Sequence, residues 1–352
     1  MKTILKWIAR IVGILLLLFV LFLLVATLTD YRPPEKIELY ASNHPDTLKV
    51  PDTLNLLTWN IGYCGLGKDM DFFYDGGKQV RTSRAHTVAN LKAVTDFLMK
   101  NDTMDAFFLQ EVDISSHRTY RIHEVDTLKK YLPGYKVFVA LNYKVFFVPV
   151  PVSNPMGGVK SGVVLLSRYE PLRVDRMDYP GQYGWPTRLF MLDRCFLAAR
   201  YPLKNGAQLV LIVTHNSAFD NGELKKEEMA FLKKYILDEQ MKGNRVVVGG
   251  DWNQNPPGFR DESFNDKSGY KRFVLNKIPE DYLPAGWNWA FDGNHMTNRS
   301  NLTPFDPEKT PTTLLDFFLL SPGIQKLSVQ GIDLGFEHSD HNPVRMKIGI
   351  ME

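Results

Sequence analysis

Arg245-Val246-Val247-Val248-Gly249-Gly250-Asp251-Trp252-Asn253 is the stretch from which the rest of this chain can be read. Its short valine-rich run, closed by glycines, fits a strand buried on both faces. The run ends in Asp251 and Asn253, which sit two apart and can both face one ligand. A plain strand-end turn is the competing reading of those two residues alone.

The same design recurs along the chain. Leu54–Trp59 ends in Asn60, Ala106–Leu109 ends in Gln110-Glu111, and Leu209–Val213 ends in Thr214-His215-Asn216. Val159–Leu166 is a further apolar run, and Leu314–Leu320 carries Asp316 inside it. His338-Ser339-Asp340-His341 follows near the C-terminus. Helical spacing appears through Val88, Leu91, Val94, Phe97 and Leu98, and again through Leu224, Met229, Leu232, Tyr235 and Ile236. Strands alternating with covering helices predict an α/β layered sandwich of about 300 residues in one domain. Residues 254–311, rich in Gly, Pro, Asn and Asp, read as long loops with short elements.

Strands that finish at one sheet edge would bring the terminal groups into one cleft. That set is rich in carboxylates, side-chain amides and histidines, with no serine or cysteine nucleophile among them. Oxygen-rich ligands suit Mg²⁺, Mn²⁺ or Ca²⁺ better than zinc. Histidines that can pair with an acid suit acid–base work. Together these point to water attacking a phosphorus ester.

Taken singly, each motif has a structural explanation: a turn for Asn60, a solvated strand end for Gln110-Glu111, a satisfied core histidine for His215. Their order is more specific. Thr-Trp-Asn, Gln-Glu, Ser-Gly-Val-Val-Leu-Leu-Ser-Arg-Tyr, Thr-His, Gly-Asp-Trp-Asn, Leu-Asp-Phe and Ser-Asp-His, from about Leu54 to Ile350, resemble the endonuclease/exonuclease/phosphatase superfamily. The resemblance implies a four-layered α/β sandwich with two central mixed β-sheets. It also implies Asn60, Glu111 and Asp340 as metal-site residues, with Glu111 the principal ligand of Mg²⁺ (or Mn²⁺ or Ca²⁺). His215 corresponds to a histidine that stabilises or protonates at the phosphate. Asp251 and Asn253 correspond to the pair that orients the attacking water and contacts a phosphate oxygen. His341 matches the catalytic histidine whose ring Asp316 holds. No clear counterpart of the nuclease groups that grip DNA is visible. Arg188 is a possible phosphate contact or a solvated loop residue; Arg168 reads as structural and His338 as a loop residue.

The 352 residues are 44% hydrophobic and 23% charged, a folded composition. Of 42 Lys and Arg, three (Lys2, Lys6, Arg10) precede any acid, so residues 11–352 carry 39 cations against 39 Asp and Glu. That balance disfavours a nucleic-acid partner, whose grip depends on phosphate neutralisation. The two cysteines, Cys64 and Cys195, exclude a disulfide scaffold and read as buried free thiols, although pairing stays open.

Ile11–Thr29 is free of charge and dominated by Leu, Val, Ile and Phe. As a helix it matches a hydrocarbon core of about 30 Å. The reading is a single-pass anchor (11–29) after a short cytoplasmic N-terminus (1–10), with a cleaved signal near Val25-Ala26-Thr27 as the alternative. The basic residues before the span outnumber those after it, which favours a catalytic domain (52–352) outside the cytoplasm, set off by a spacer (30–51). The expected function is a membrane-anchored, metal-dependent phosphoesterase acting on a lipid headgroup or small phosphodiester. A tethered nuclease and a catalytically silent binding domain are the rivals. Val145-Phe146-Phe147-Val148-Pro149-Val150-Pro151 cannot be a central strand with two prolines. It is an edge strand or buried loop, or else an apolar lip that touches lipid or roofs a hydrophobic substrate.

Overall fold

The computed structural model describes residues 1–43, 50–218, 222–259 and 275–351. Parts of the expected spacer (44–49) and loop region (260–274) lie outside the described residues. Helix α1 spans Lys2–Leu28. Strands β1 (Lys36–Ala41), β2 (Thr53–Asn60) and β3 (Ala106–Asp113) follow, with α2 (Arg84–Lys100) between the last two. Next come α3 (Glu124–Tyr131), β4 (Lys136–Val148), β5 (Gly157–Ser167), β6 (Arg173–Asp178), β7 (Cys195–Pro202) and β8 (Gln208–His215). The C-terminal part holds α4 (Glu223–Met241), β9 (Arg245–Asp251), β10 (Asn288–Ala290), β11 (Asn298–Arg299), β12 (Thr312–Thr313), β13 (Asp316–Leu320), β14 (Ile324–Gly331) and β15 (Val344–Ile350).

Two large mixed sheets result. One runs β1-β6-β7-β8-β9-β13-β10 and the other β14-β15-β2-β3-β5-β4. Side chains from both sheets, including Leu56, Phe108, Leu165, Leu211, Val247 and Phe318, interdigitate in one apolar layer. α4 covers the outer face of the first sheet through Met229, Leu232 and Ile236, against Ile212, Val246 and Phe317. α2 and α3 cover the second through Leu91, Val94, Leu98 and Leu128, against Trp59, Phe107 and Val164. The order helix, sheet, sheet, helix is the expected four-layered sandwich. It follows from strands apolar on both faces, each of which must be covered.

Local chemistry explains the element ends. Ser83 caps α2 by accepting from the His86 amide at 3.2 Å, and Asn101 closes it by donating to the Phe97 carbonyl. Cys64 and Cys195 are free and buried. Arg168 stacks on Tyr135 and donates to the Met104 carbonyl, which is a structural role.

Two boundaries differ from the sequence reading. The N-terminal helix starts at Lys2, so residues 1–10 belong largely to it. Residues 30–51 are not simply a spacer, because Lys36–Ala41 adds an antiparallel edge strand to β6. Pro33 and Pro34 stop at the strand's threshold, and Leu39 and Tyr40 beyond them pack against the inter-sheet layer.

Candidate active site

β2 and β3 run parallel, as do β8 and β9. Their C-terminal ends therefore point the same way within each pair. Asn60 ends β2, His215 ends β8, and Asp251 ends β9 directly opposite His215. The antiparallel β13 begins at Asp316, paired with Asp251 from its other side. Glu111 lies where the β3–β5 register slips between Leu109 and Val112, with φ 54°. That bulge re-aims its side chain. Gly250 permits the crowding: its φ is 149° and a Cβ there would lie 2.0 Å from the Thr214 carbonyl oxygen.

Glu111, His215 and Asp251 line one cleft of about 130 Å³ together with Asn253, Asp340 and His341, with Asn60 and Asp316 directly behind its wall. Asn60 is its hub. Its Nδ2 donates to Glu111 Oε1 at 3.2 Å and to Asp251 Oδ2 at 3.0 Å, while its Oδ1 accepts from the Gly62 amide. Asp340 accepts from Asn301 Nδ2 at 2.6 Å. A Cβ on Gly62 would stand 2.8 Å from Asp340 Oδ1, so the glycine keeps that oxygen's surroundings open. His341 Nδ1 lies 2.7 Å from Asp316 Oδ2, with both side chains buried. His341 Nε2 faces the Asn298 side-chain amide at 3.0 Å, whose oxygen is the end that suits a charged ring, and Asp251 Oδ2 at 3.7 Å. His215 Nε2 lies 3.5 Å from Asp251 and 3.9 Å from Glu111. Asn253 holds Asp251 through its amide at 2.9 Å and gives one side-chain N–H to the Asn216 carbonyl, leaving the other available.

Burial and charge set the protonation states. Burial disfavours the His341 cation, but Asp316 and Asp251 outweigh it and hold the imidazole up at about 10. Burial, with Arg194 and His341 adding to it, keeps His215 well below the usual histidine range. His215 is thus neutral; its Nδ1 has no partner among the described residues, so the proton belongs on Nε2, facing the acids. Burial raises Asp251 to about 6, opposed by His341. Burial also raises Glu111, with Arg118 opposing and Asp340 adding.

Two acid groupings could meet a cation. Asp251, Asp316 and His341 offer ligand atoms within 4.8 Å of one another. Asp316 and His341, however, already spend their facing atoms on each other. Glu111 and Asp340 fit a hard cation better: the Glu111 side chain is a quarter exposed to the cleft, and a cation there would relieve its repulsion with Asp340. Asn60 turns its Nδ2 toward Glu111 and spends Oδ1 on the Gly62 amide, so in this arrangement it positions the ligand rather than serving as one.

All eight residues assigned to metal or catalysis from the sequence meet here. Arg188 does not: it is absent from the cleft wall and pairs with Asp30 at 3.5 Å. Two other arginines line the cleft. Arg118 is held by Asp113 at 2.9 Å and stacks 3.6 Å from the Tyr63 ring centre; Arg194 donates to the His215 carbonyl. Asp75, raised to about 7 by burial with Asp340 and Glu111 adding, is a further acid in the wall. Asn298 and Asn301 come from the loop region and Arg118 from a single turn, none with a periodic signal in the sequence. His338 lies in a loop and bonds Asn90.

An α/β sandwich with a carboxylate–amide–histidine cleft at the strand ends defines a class of hydrolase built without a serine or cysteine nucleophile. The sequence profile of the Endonuclease/Exonuclease/phosphatase family matches residues 57–341, and the chain belongs to that family, whose members are phosphoesterases and nucleases. A search of curated protein sequences returned no match. Among solved structures, an endonuclease/exonuclease/phosphatase from Beutenbergia cavernae is similar at 18% identity and TM-score 0.54, over 85% of this chain and 72% of that one. ANGEL2, a 2′,3′-cyclic phosphatase solved with adenosine-2′,3′-vanadate, is similar at 14% identity and TM-score 0.53, over 85% and 96%. The human Nocturnin catalytic domain with bound sulfate is similar at 16% identity and TM-score 0.51, over 91% and 100%. At these identities the likeness concerns the fold.

Proposed function

We propose that the protein is a membrane-anchored, divalent-metal-dependent phosphoesterase that hydrolyses a lipid-headgroup or other small phosphate ester by water attack. The observation that carries this reading is Asn60, whose one amide nitrogen links Glu111 to Asp251. It ties the cation-binding side of the cleft to the side that handles water. Glu111 and Asp340 would hold the cation, with Asn60 fixing Glu111 through its Nδ2; Mg²⁺ is preferred, with Mn²⁺ or Ca²⁺ as substitutes. When bound, the ion supplies positive charge for the phosphate oxygens.

The remaining roles belong to the chain. Asp251, fixed by the Asn253 amide, orients the attacking water and accepts its proton. As the P–O bond to the alcohol breaks, His341, charged and held by Asp316, gives the Nε2 proton to the leaving oxygen, and neutral His215 donates a hydrogen bond through its own Nε2 to a phosphate oxygen. The free N–H of Asn253 completes the donor set. Arg118 and Arg194 supply the cationic wall that the sequence reading sought in Arg188.

Helix α1 is long and apolar enough to cross a membrane. Its cations at Lys2, Lys6 and Arg10 favour an N-terminus in the cytoplasm and a catalytic domain outside it. The 39-to-39 charge balance of residues 11–352 favours small esters over duplex DNA. The test is a panel of phospholipids, small phosphomonoesters and diesters, and plasmid DNA, each with Mg²⁺ and with chelator. Metal-dependent release from lipid or small esters ahead of DNA nicking supports the proposal. Fast nicking with every other ester intact replaces it with a tethered nuclease, and no hydrolysis at all leaves a binding domain.

A further inference from the structure

Helix α1 does not simply lead to the catalytic domain; it packs on it. Phe22, Leu23, Ala26, Thr27 and Asp30 recur at helical spacing and are the positions that lose exposure near its end. The Phe22 ring stacks on Phe190 at 5.9 Å and meets Phe147 edge-on at 6.3 Å. Trp185 donates its indole N–H to Thr27 Oγ1 at 3.2 Å. Tyr31, just past the helix, lies under Lys144 of β4 at 4.8 Å. The run 145–151 is thus the tip of an edge strand, as one sequence reading held, and it faces the anchor.

Arithmetic along the helix fixes the depth of that tip. Trp7 and Thr27 are twenty residues apart, about 30 Å at the α-helical rise, which is the thickness of a hydrocarbon core. Trp7 at one end, and Trp185 with Tyr31 at the other, occupy the positions where interfacial aromatics gather. Phe22 lies five residues, or about 7.5 Å, inward of Thr27. Phe147 and Phe190 touch Phe22, so the domain's tip must reach the same depth. Large apolar side chains face outward around it: Phe146 is 57% exposed, Val150 40%, Val152 87% and Trp185 57%, with exposed Thr187 among them and Lys144, Ser153 and Asn154 at the margin.

We propose that the segments 145–152 and 184–190 form a lip that is immersed in the bilayer beside α1, seating the catalytic cleft against the headgroup layer. The lip continues into the cleft wall. Tyr143 lines the cleft and donates to the Phe190 carbonyl at 3.0 Å, and Met156, Met191 and Leu192 line the same wall. An immersion of this depth matches that of interfacial apolar segments, roughly 5–10 Å. Lys144 stands beside the lip over Tyr31, where its head can reach phosphate groups, while Arg188 inside it is paired with Asp30 at the end of the anchor. The occupant is lipid, because the surface is continuous with a helix whose remaining length is apolar and exposed. The inference rests on the anchor reading of α1.

The test uses the full chain in bilayers of phosphatidylcholine and phosphatidylglycerol, with one fluorescent label per variant at Val152→Cys, Phe146→Cys, Leu16→Cys or Leu327→Cys. Native Cys64 and Cys195 are buried. The expected result is that labels at 152 and 146 are quenched by shallow nitroxide lipids and shielded from iodide. The label at 16 should be quenched by deep nitroxides, and the label at 327, on β14, only by iodide. If 152 and 146 behave like 327 while 16 lies in lipid, the anchor stands and the lip proposal falls. If 152 and 146 are shielded from iodide without lipid quenching, a second protein surface covers the lip and the proposal falls. If 16 is itself accessible to iodide, the anchor reading fails and takes the lip with it.

Discussion

Replacing Asp316 by asparagine probes the His341–Asp316 pair with little change of shape. His341 Nδ1 and Asp316 Oδ2 are 2.7 Å apart, and both side chains are buried. The other oxygen, Oδ1, has no partner among the described residues. An asparagine can therefore place its amide nitrogen there and keep a carbonyl oxygen toward Nδ1, preserving the ring's position but not the charge. A hydrogen bond to a charged group contributes about 1.5–3 kcal/mol, which as transition-state stabilisation is about 10- to 150-fold in turnover. His341→Ala removes the ring itself and should cost at least as much. Because Asp316 acts only through that ring, adding Asp316→Asn to His341→Ala should lower turnover by less than about threefold. The assay is kcat on bis-p-nitrophenyl phosphate with saturating Mg²⁺ for wild type, both single variants and the double variant. Thermal melts confirm that each is folded. Additive losses across the cycle would show that the two residues act separately and would refute the pair.

Three further outcomes are expected. Glu111→Gln should lower turnover at least about 100-fold and weaken calorimetric Mg²⁺ binding while the melting temperature stays near wild type, since a neutral amide is a poor ligand for a hard cation. Gly250→Ala should destabilise the protein by about 3 kcal/mol, read as a melting temperature several degrees lower, because its Cβ has no room beside Thr214. Burial would raise the Glu239 carboxyl, but bonds from Arg200, Lys242 and Asn244 outweigh it and hold it down at about 2. The stability this gives is present above the unfolded-state value near 4.5 and is lost as the pH falls from there toward 2, so the melting-temperature gap between wild type and Glu239→Gln should close across that interval.

The parts of the fold legible in the sequence were those buried on two faces. Ala106–Leu109 and Val246–Val248 are continuous apolar runs because β3 and β9 are covered on both sides. The edge strands were harder to read. β1 mixes lysine, glutamate and tyrosine because half of it faces solvent, and so its residues passed for a spacer. The candidate site residues at strand ends announced themselves by following such runs. Asn298, in the two-residue strand β11, and Asn301, in the loop after it, are placed by long-range bonds to His341 and Asp340, and Asp75 lies in a single 3-10 turn, so no local pattern marks them. Arg188 looked free because its partner, Asp30, lies 158 positions away at the end of the anchor helix. Arg118 was overlooked because one 3-10 turn carries it to the cleft.

Everything proposed for this cleft requires that it hydrolyse phosphate esters with a bound cation. The most direct test is hydrolysis of bis-p-nitrophenyl phosphate by the purified full chain, stripped with chelator and then titrated with Mg²⁺. Hydrolysis should stop in chelator and return saturably as Mg²⁺ is added. Undiminished hydrolysis in chelator, or none at any concentration of Mg²⁺, Mn²⁺ or Ca²⁺, would contradict it.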